Sequence, residues 1–150
     1  MAVLTPGNLA PDFTLTNQNG DNVSLSDFAG QRVLVWFYPR AFGSNRTKQA
    51  NGFRARAREF ADANTVLVGI TFSTPDELAR WGAEIGLESL LLCDAERSVA
   101  LRYGAAQDSL APKAARISVL IDPAGIIVRV YEGFDAATHA DDVLADLDGH

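Results

Sequence analysis

A chain of 150 residues, 47% hydrophobic and 21% charged, has the size of one globular domain over 1–150, enough to bury about 68–70% of its unfolded surface in a single core. Its 13 basic and 19 acidic residues leave a net charge of -6, which works against nucleic acid or an anionic membrane as a partner. No run of 18 apolar residues occurs, and MAVLTPGNLAPDF lacks the basic and apolar segments of a secretory leader, so a soluble cytoplasmic protein is expected. Cys93 is the only cysteine, which excludes an intrachain disulfide, a CxxC redox pair and a thiolate metal cage.

PDFTLTNQNGDNVSL predicts a β-hairpin, with Phe13, Leu15, Val23 and Leu25 alternating and Asn19-Gly20 supplying the positive φ of the turn. Arg32 to Tyr38, RVLVWFY, is a continuous apolar run, the pattern of a central strand covered on both faces. From Thr47 the period becomes helical. Phe53, Ala57, Phe60 and Ala61 form the stripe, Lys48, Arg54, Arg56 and Arg58 lie mostly off it, and the helix ends near Asn64.

TVLVGITF, residues 65–72, predicts a second buried strand, and Thr74-Pro75-Asp76-Glu77 a capping box opening a helix to Ile85. A strand over Ser89 to Cys93 follows, then a helix from Ala95 to Tyr103 closed by Gly104. Ile117 to Ile121 and Ile126 to Glu132 flank Asp122-Pro123-Ala124-Gly125 as a hairpin, and the last helix covers about Thr138 to Leu147 with Val143, Leu144 and Leu147 on one face. Alternating strands and helices ending in an antiparallel hairpin make an α/β protein with a central mixed sheet between helices.

In this order the segments PGNLAPDFTL, GDNVSLSDFAGQ, VWFYPR, TKQANGFR, VGIT, LLCDAERSVALRYGA, RISVLIDPAGIIV and THADDVLADL resemble the peroxiredoxins of the AhpC/TSA superfamily. Within them the chain is similar to the bacterioferritin comigratory protein or PrxQ group. The resemblance runs over nearly the whole chain. It implies a thioredoxin-like fold with an N-terminal β-hairpin and, in active members, a thioredoxin-dependent antioxidant peroxidase that reduces hydrogen peroxide or organic hydroperoxides through a thiol.

The family's site is Pro-x-x-x-Thr-x-x-Cys at the start of the first long helix, together with an arginine from a later strand. On this chain the resemblance lays it onto Pro39, Gly43, Arg46 and Arg116, with Asn51 where members of this group often carry a resolving cysteine. Pro39 and Arg116 match; the threonine and both sulfurs do not. In the family, a helix N-terminus and a guanidinium lower the thiol pKa while threonine and backbone donors hold the peroxide. Arginine stays protonated and offers no nucleophilic lone pair, so no catalytic residue is expected here and the chain reads as a pseudoenzyme. Neither Arg46 nor Asn51 is the Ser or Ala of a constructed inactive variant, which points to natural divergence.

The fallback thiol is Cys93, where partial burial and the adjacent Asp94 are expected to suppress the thiolate. It reads chiefly as a small core hydrophobe, with one-cysteine peroxidase turnover or redox sensing as the alternative. Arg46 and Arg116, brought together at a helix N-terminus, would repel unless solvated or screened by a small bound anion, so they are the anion-binding candidates. His139 and His150 have no partner at metal spacing, and no metal or cofactor is expected. Further partners that the resemblance implies are a second copy, as a homodimer, or an active homologue.

Overall fold

The computed structural model describes residues 6–37, 52–72, 74–85, 90–94, 96–106, 117–132 and 139–148. Strands β1 (Thr14–Asn17) and β2 (Asn22–Ser24) form the antiparallel hairpin, in register Thr14↔Ser24 and Thr16↔Asn22. Its turn is organised by Asn17, whose Oδ1 accepts the N–H groups of Asn19 at 2.9 Å and Asp21 at 3.0 Å. Of the expected Asn19-Gly20 pair only Gly20 takes a positive φ, at 86°. The asparagine side chain takes up the loop N–H groups, so a single left-handed residue suffices.

β3 (Arg32–Phe37) runs parallel to β4 (Thr65–Thr71), which runs parallel to β5 (Leu90–Cys93). β6 (Ser118–Ile121) pairs antiparallel with β3, and β7 (Ile127–Tyr131) antiparallel with β6. The described strands make one mixed sheet in the order β2-β1-β5-β4-β3-β6-β7. The central position expected for the RVLVWFY run is therefore met, and its alternation divides the core. Val33, Val35 and Phe37 pack on one face with Val68, Ile70, Leu92 and Tyr103. Leu34 and Trp36 pack on the other with Phe53, Phe60, Leu78, Trp81, Val143 and Leu147. A strand with no solvent face carries no polar alternation, which is why the run reads as unbroken apolar sequence.

Four α-helices have described bounds: α1 (Ala57–Asp62), α2 (Pro75–Ile85), α3 (Ser98–Tyr103) and α4 (His139–Asp148). Residues 52–55 are also helical, and Arg56, at φ -110° and ψ 12°, makes a break before α1. Phe53 and Phe60, two turns apart, stay inward, whereas Ala61 is exposed. At about 100° per residue Ala61 lies about 90° from the Phe53–Phe60 line, outside the buried stripe proposed for it. The α2 capping box forms as expected: Thr74 N–H donates to Glu77 Oε1 at 3.0 Å and Glu77 N–H to Thr74 Oγ1 at 3.2 Å.

The third helix begins later than expected, at Ser98 rather than Ala95, because Arg97 is left-handed with φ 62°. Its opening N–H groups are taken by buried Asp94, whose carboxylate accepts from Val99 at 3.3 Å and Ala100 at 2.7 Å. Asp94 thus caps the helix from a distance, with a turn at Glu96 closed by the Arg97 N–H donating to the Asp94 carbonyl at 2.9 Å. Gly104, φ 77°, closes α3 as expected. Tyr38, Ser89 and Thr138, expected at element ends, lie outside the described residues.

Candidate functional site

The parallel strands β3, β4 and β5 all end at one edge of the sheet, at Phe37, Thr71 and Cys93. In open α/β sheets the crevice beyond the carboxyl ends of such strands is where ligands bind. Phe37 is also tied to β6: its N–H donates to the Ile117 carbonyl at 2.7 Å. The chain leading to Pro39, Gly43, Arg46 and Asn51 leaves from Phe37, and Arg116 immediately precedes Ile117, so both family segments attach at one hydrogen-bonded rung. Pro39, Gly43, Arg46, Asn51 and Arg116 themselves lie outside the described residues, as does His150.

Beneath that rung is a buried aromatic stack. The Phe53 ring lies 5.0 Å from Trp36, 5.8 Å from Phe60 and 5.9 Å from His139, and His139 lies 5.1 Å from Tyr131. His139 and Ser118 are both fully buried, and His139 Nε2 shares a 2.8 Å hydrogen bond with Ser118 Oγ. Burial pushes the imidazole down from 6.5 to about 4, so it is neutral at pH 7. Tyr131 Oη donates to Asp146 Oδ2 at 2.7 Å, and Arg129 lies 3.2 Å from the same oxygen. The Tyr131 hydroxyl is shifted well upward, first by burial and then by that carboxylate.

The role of His139 beneath the edge was missed in the sequence, although a signal exists. His139, Val143 and Leu147 follow at i, i+4 and i+8, and all three are buried, so the histidine belongs to the apolar stripe of α4. Ser118 carries no such signal, since a serine inside SVLI reads equally as filler. On the opposite face Tyr103 lies 5.5 Å from Phe37 and 6.1 Å from Phe13 and donates its hydroxyl to the Pro11 carbonyl, closing the N-terminal segment over the core.

Cys93 is half-buried at the end of β5, in register with Thr71 on β4 and Thr16 on β1. It lines a surface cavity of about 280 Å³ with Thr14, Thr16, Pro75, Glu96 and Ser98. It lies at the same edge of the sheet as the end of β3, but β4 stands between β5 and β3. Two strand spacings of about 4.8 Å put it about 10 Å from the line of β3. The Asp94 carboxylate is committed to α3, and burial, the largest effect on it, raises its pKa. Among the described residues no cluster of His, Cys, Asp or Glu is arranged to hold a metal, and no helix is long and apolar enough to cross a membrane.

A sequence profile of the AhpC/TSA family matches residues 6–130. The chain belongs to the AhpC/TSA family. It is 38% identical over 155 aligned residues to peroxiredoxin Bcp of Escherichia coli K12, covering 100% of this chain and 99% of that one. Among solved structures it superposes on peroxidoxin BcpB of Mycobacterium tuberculosis with a TM-score of 0.90 at 30% identity, over 97% of each chain. The bacterioferritin comigratory protein of Xanthomonas campestris has the same fold, with a TM-score of 0.87 at 23% identity over 100% and 99% of the two chains. The thioredoxin-like architecture expected from the sequence is thus the fold of this peroxiredoxin relative, and its one cysteine is Cys93.

Proposed function

We propose that this chain is a peroxiredoxin whose thiol peroxidase site has degenerated and whose remaining corner binds a small anion, in a binding or regulatory role in the cytoplasm. The observation that carries it is the position of the only thiol: Cys93 ends β5, while the segment matching the family motif follows β3 and holds Arg46 and Asn51. Peroxide reduction needs a thiolate whose sulfur attacks one oxygen while the O–O bond breaks and water or an alcohol leaves. Arginine cannot perform that step.

If the family frame is kept, Arg46 and Arg116 would meet at a helix start, whose free amides and positive dipole end together with two guanidinium groups are the chemistry of an anion pocket. A bound anion would satisfy the amides and screen the arginine pair. Phosphate, sulfate or a small carboxylate is expected to raise the melting temperature, by about 2.7 kcal/mol of stability at one hundred times the dissociation constant. Titrations at matched ionic strength on the wild type and Arg46→Ala separate site binding from general salt effects. Equal shifts in the two proteins would overturn the anion pocket.

A second function is favoured by one observation, the half-buried Cys93 at the same sheet edge beside a surface cavity. In it Cys93 is oxidised by a peroxide to a sulfenic acid and reduced by a dithiol, as a slow peroxidase or sensor. Association as a homodimer or with an active homologue is compatible with either function, and size analysis of the mixed proteins tests it.

A further inference from the structure

His139 joins three elements at one buried point. Its ring stands edge-on to Phe53, in the helical stretch that follows the family motif, and to Tyr131 on β7, while its Nε2 bonds Ser118 on β6. Ser118 is in register with Trp36, and the adjoining rung is the Phe37–Ile117 hydrogen bond from which the family segments leave. A cavity of about 420 Å³ reaches this histidine beside Tyr131, lined also by Arg129, Glu132, Asp142 and Asp146. A buried base thus sits between an aromatic pocket that favours its neutral form and an open cavity with carboxylates on its wall.

We propose that His139 is an acid-driven latch: neutral, it pins α4 and β6 beneath the site edge through Ser118 and Phe53, and protonated, it leaves that pocket for the carboxylate-lined cavity and loosens the Phe37–Ile117 rung. The charges that meet it decide the direction. From α4 they are Asp142 and Asp146, with Asp141 held at 2.8 Å by Arg56; from β7 they are Arg129 and Glu132, with the Tyr131 hydroxyl held by Asp146. β6 contributes the Ser118 hydroxyl, and the contact from the 52–55 stretch is the uncharged Phe53 ring. Three carboxylates against one guanidinium on the cavity wall favour an imidazolium there, whereas full burial against the Phe53 and Tyr131 rings disfavours it in the closed position.

The latch does not depend on what the family segments bind. If the closed imidazole titrates at about 4 and the released one near 6.5, opening becomes about twentyfold more favourable between pH 7 and pH 5. Hydrogen exchange of the Phe37 amide and of α4, corrected for intrinsic rates, is the readout, with the His139 ring titrated by NMR and His150→Gln resolving the two histidine signals. The expected result is a loss of protection of that size in the wild type that is absent in His139→Gln, and its displacement to higher pH in Ser118→Ala, which keeps the histidine and removes its hydroxyl partner. A His139 ring titrating at an ordinary value, or equal loss of Phe37 protection in the wild type and His139→Gln, would overturn the latch.

Discussion

Truncating Phe53 to alanine removes the ring at the centre of the buried stack. The side chain is fully buried, and among the described residues its aromatic neighbours come from β3, α1 and α4, at 5.0, 5.8 and 5.9 Å. None of those elements can move in without giving up its own contacts with the sheet, so the cavity stays largely open. Aromatic-to-alanine changes in such places cost about 3–5 kcal/mol. The lost edge and tilted ring contacts, each worth about 0.5–1.5 kcal/mol beyond area, place the value in the upper part of that range. Against a total stability of about 5–15 kcal/mol this leaves a marginal fold, with a melting temperature lower by about 6–20 °C for a chain of this size. Phe53→Leu keeps most of the volume and should lose less than about 2 kcal/mol. Urea unfolding followed by far-UV circular dichroism measures both, with the m-value unchanged. A loss below about 1 kcal/mol in Phe53→Ala would refute the stack as the anchor of the helix that follows the family motif.

Two further outcomes follow from the same geometry. Because folding lowers the His139 pKa, the unfolded chain binds the proton more tightly; this contribution to stability is complete above the unfolded value of 6.5, declines as pH falls, and is lost at about 4. Unfolding free energies should therefore drop by about 2 kcal/mol between pH 7 and pH 5 in the wild type relative to His139→Gln, and parallel curves would refute the buried neutral imidazole. If Pro39, Arg116 and the strand before them keep the family frame, Arg46→Cys combined with Gly43→Thr should fold and hold a thiol with a pKa below the free value of about 8.5, measured by thiolate absorbance; an ordinary value would mean that the frame has drifted.

What the sequence disclosed depended on how far apart the causes lie. The turn at Asn19-Gly20, the Thr74–Glu77 capping box and the apolar run from Val33 to Phe37 in β3 are each set by residues within a few positions of one another, and each was readable in place, though not the part Asn17 plays in the turn. The late start of α3 was not, since Asp94 reaches over the intervening residues to Val99 and Ala100 and turns what looked like a first helical turn into a cap. The exposure of Ala61 follows from the helical angle that sets it about 90° from the Phe53–Phe60 line, which the stripe drawn from the sequence did not respect. The Ser118–His139 pair joins residues from β6 and α4 that only packing brings together. The family site is a reading of the sequence alone, since Pro39, Gly43, Arg46, Asn51 and Arg116 all lie outside the described residues.

The most direct measurement is hydrogen peroxide consumption by the purified protein with thioredoxin or dithiothreitol as reductant, beside Cys93→Ser under the same conditions. If Arg46 and Asn51 stand where the family's sulfurs belong, then with Cys93 two strands away from β3 both proteins should consume peroxide at the same background rate. Wild-type turnover well above background that disappears in Cys93→Ser would contradict the loss of peroxidase chemistry and make Cys93 the working thiol.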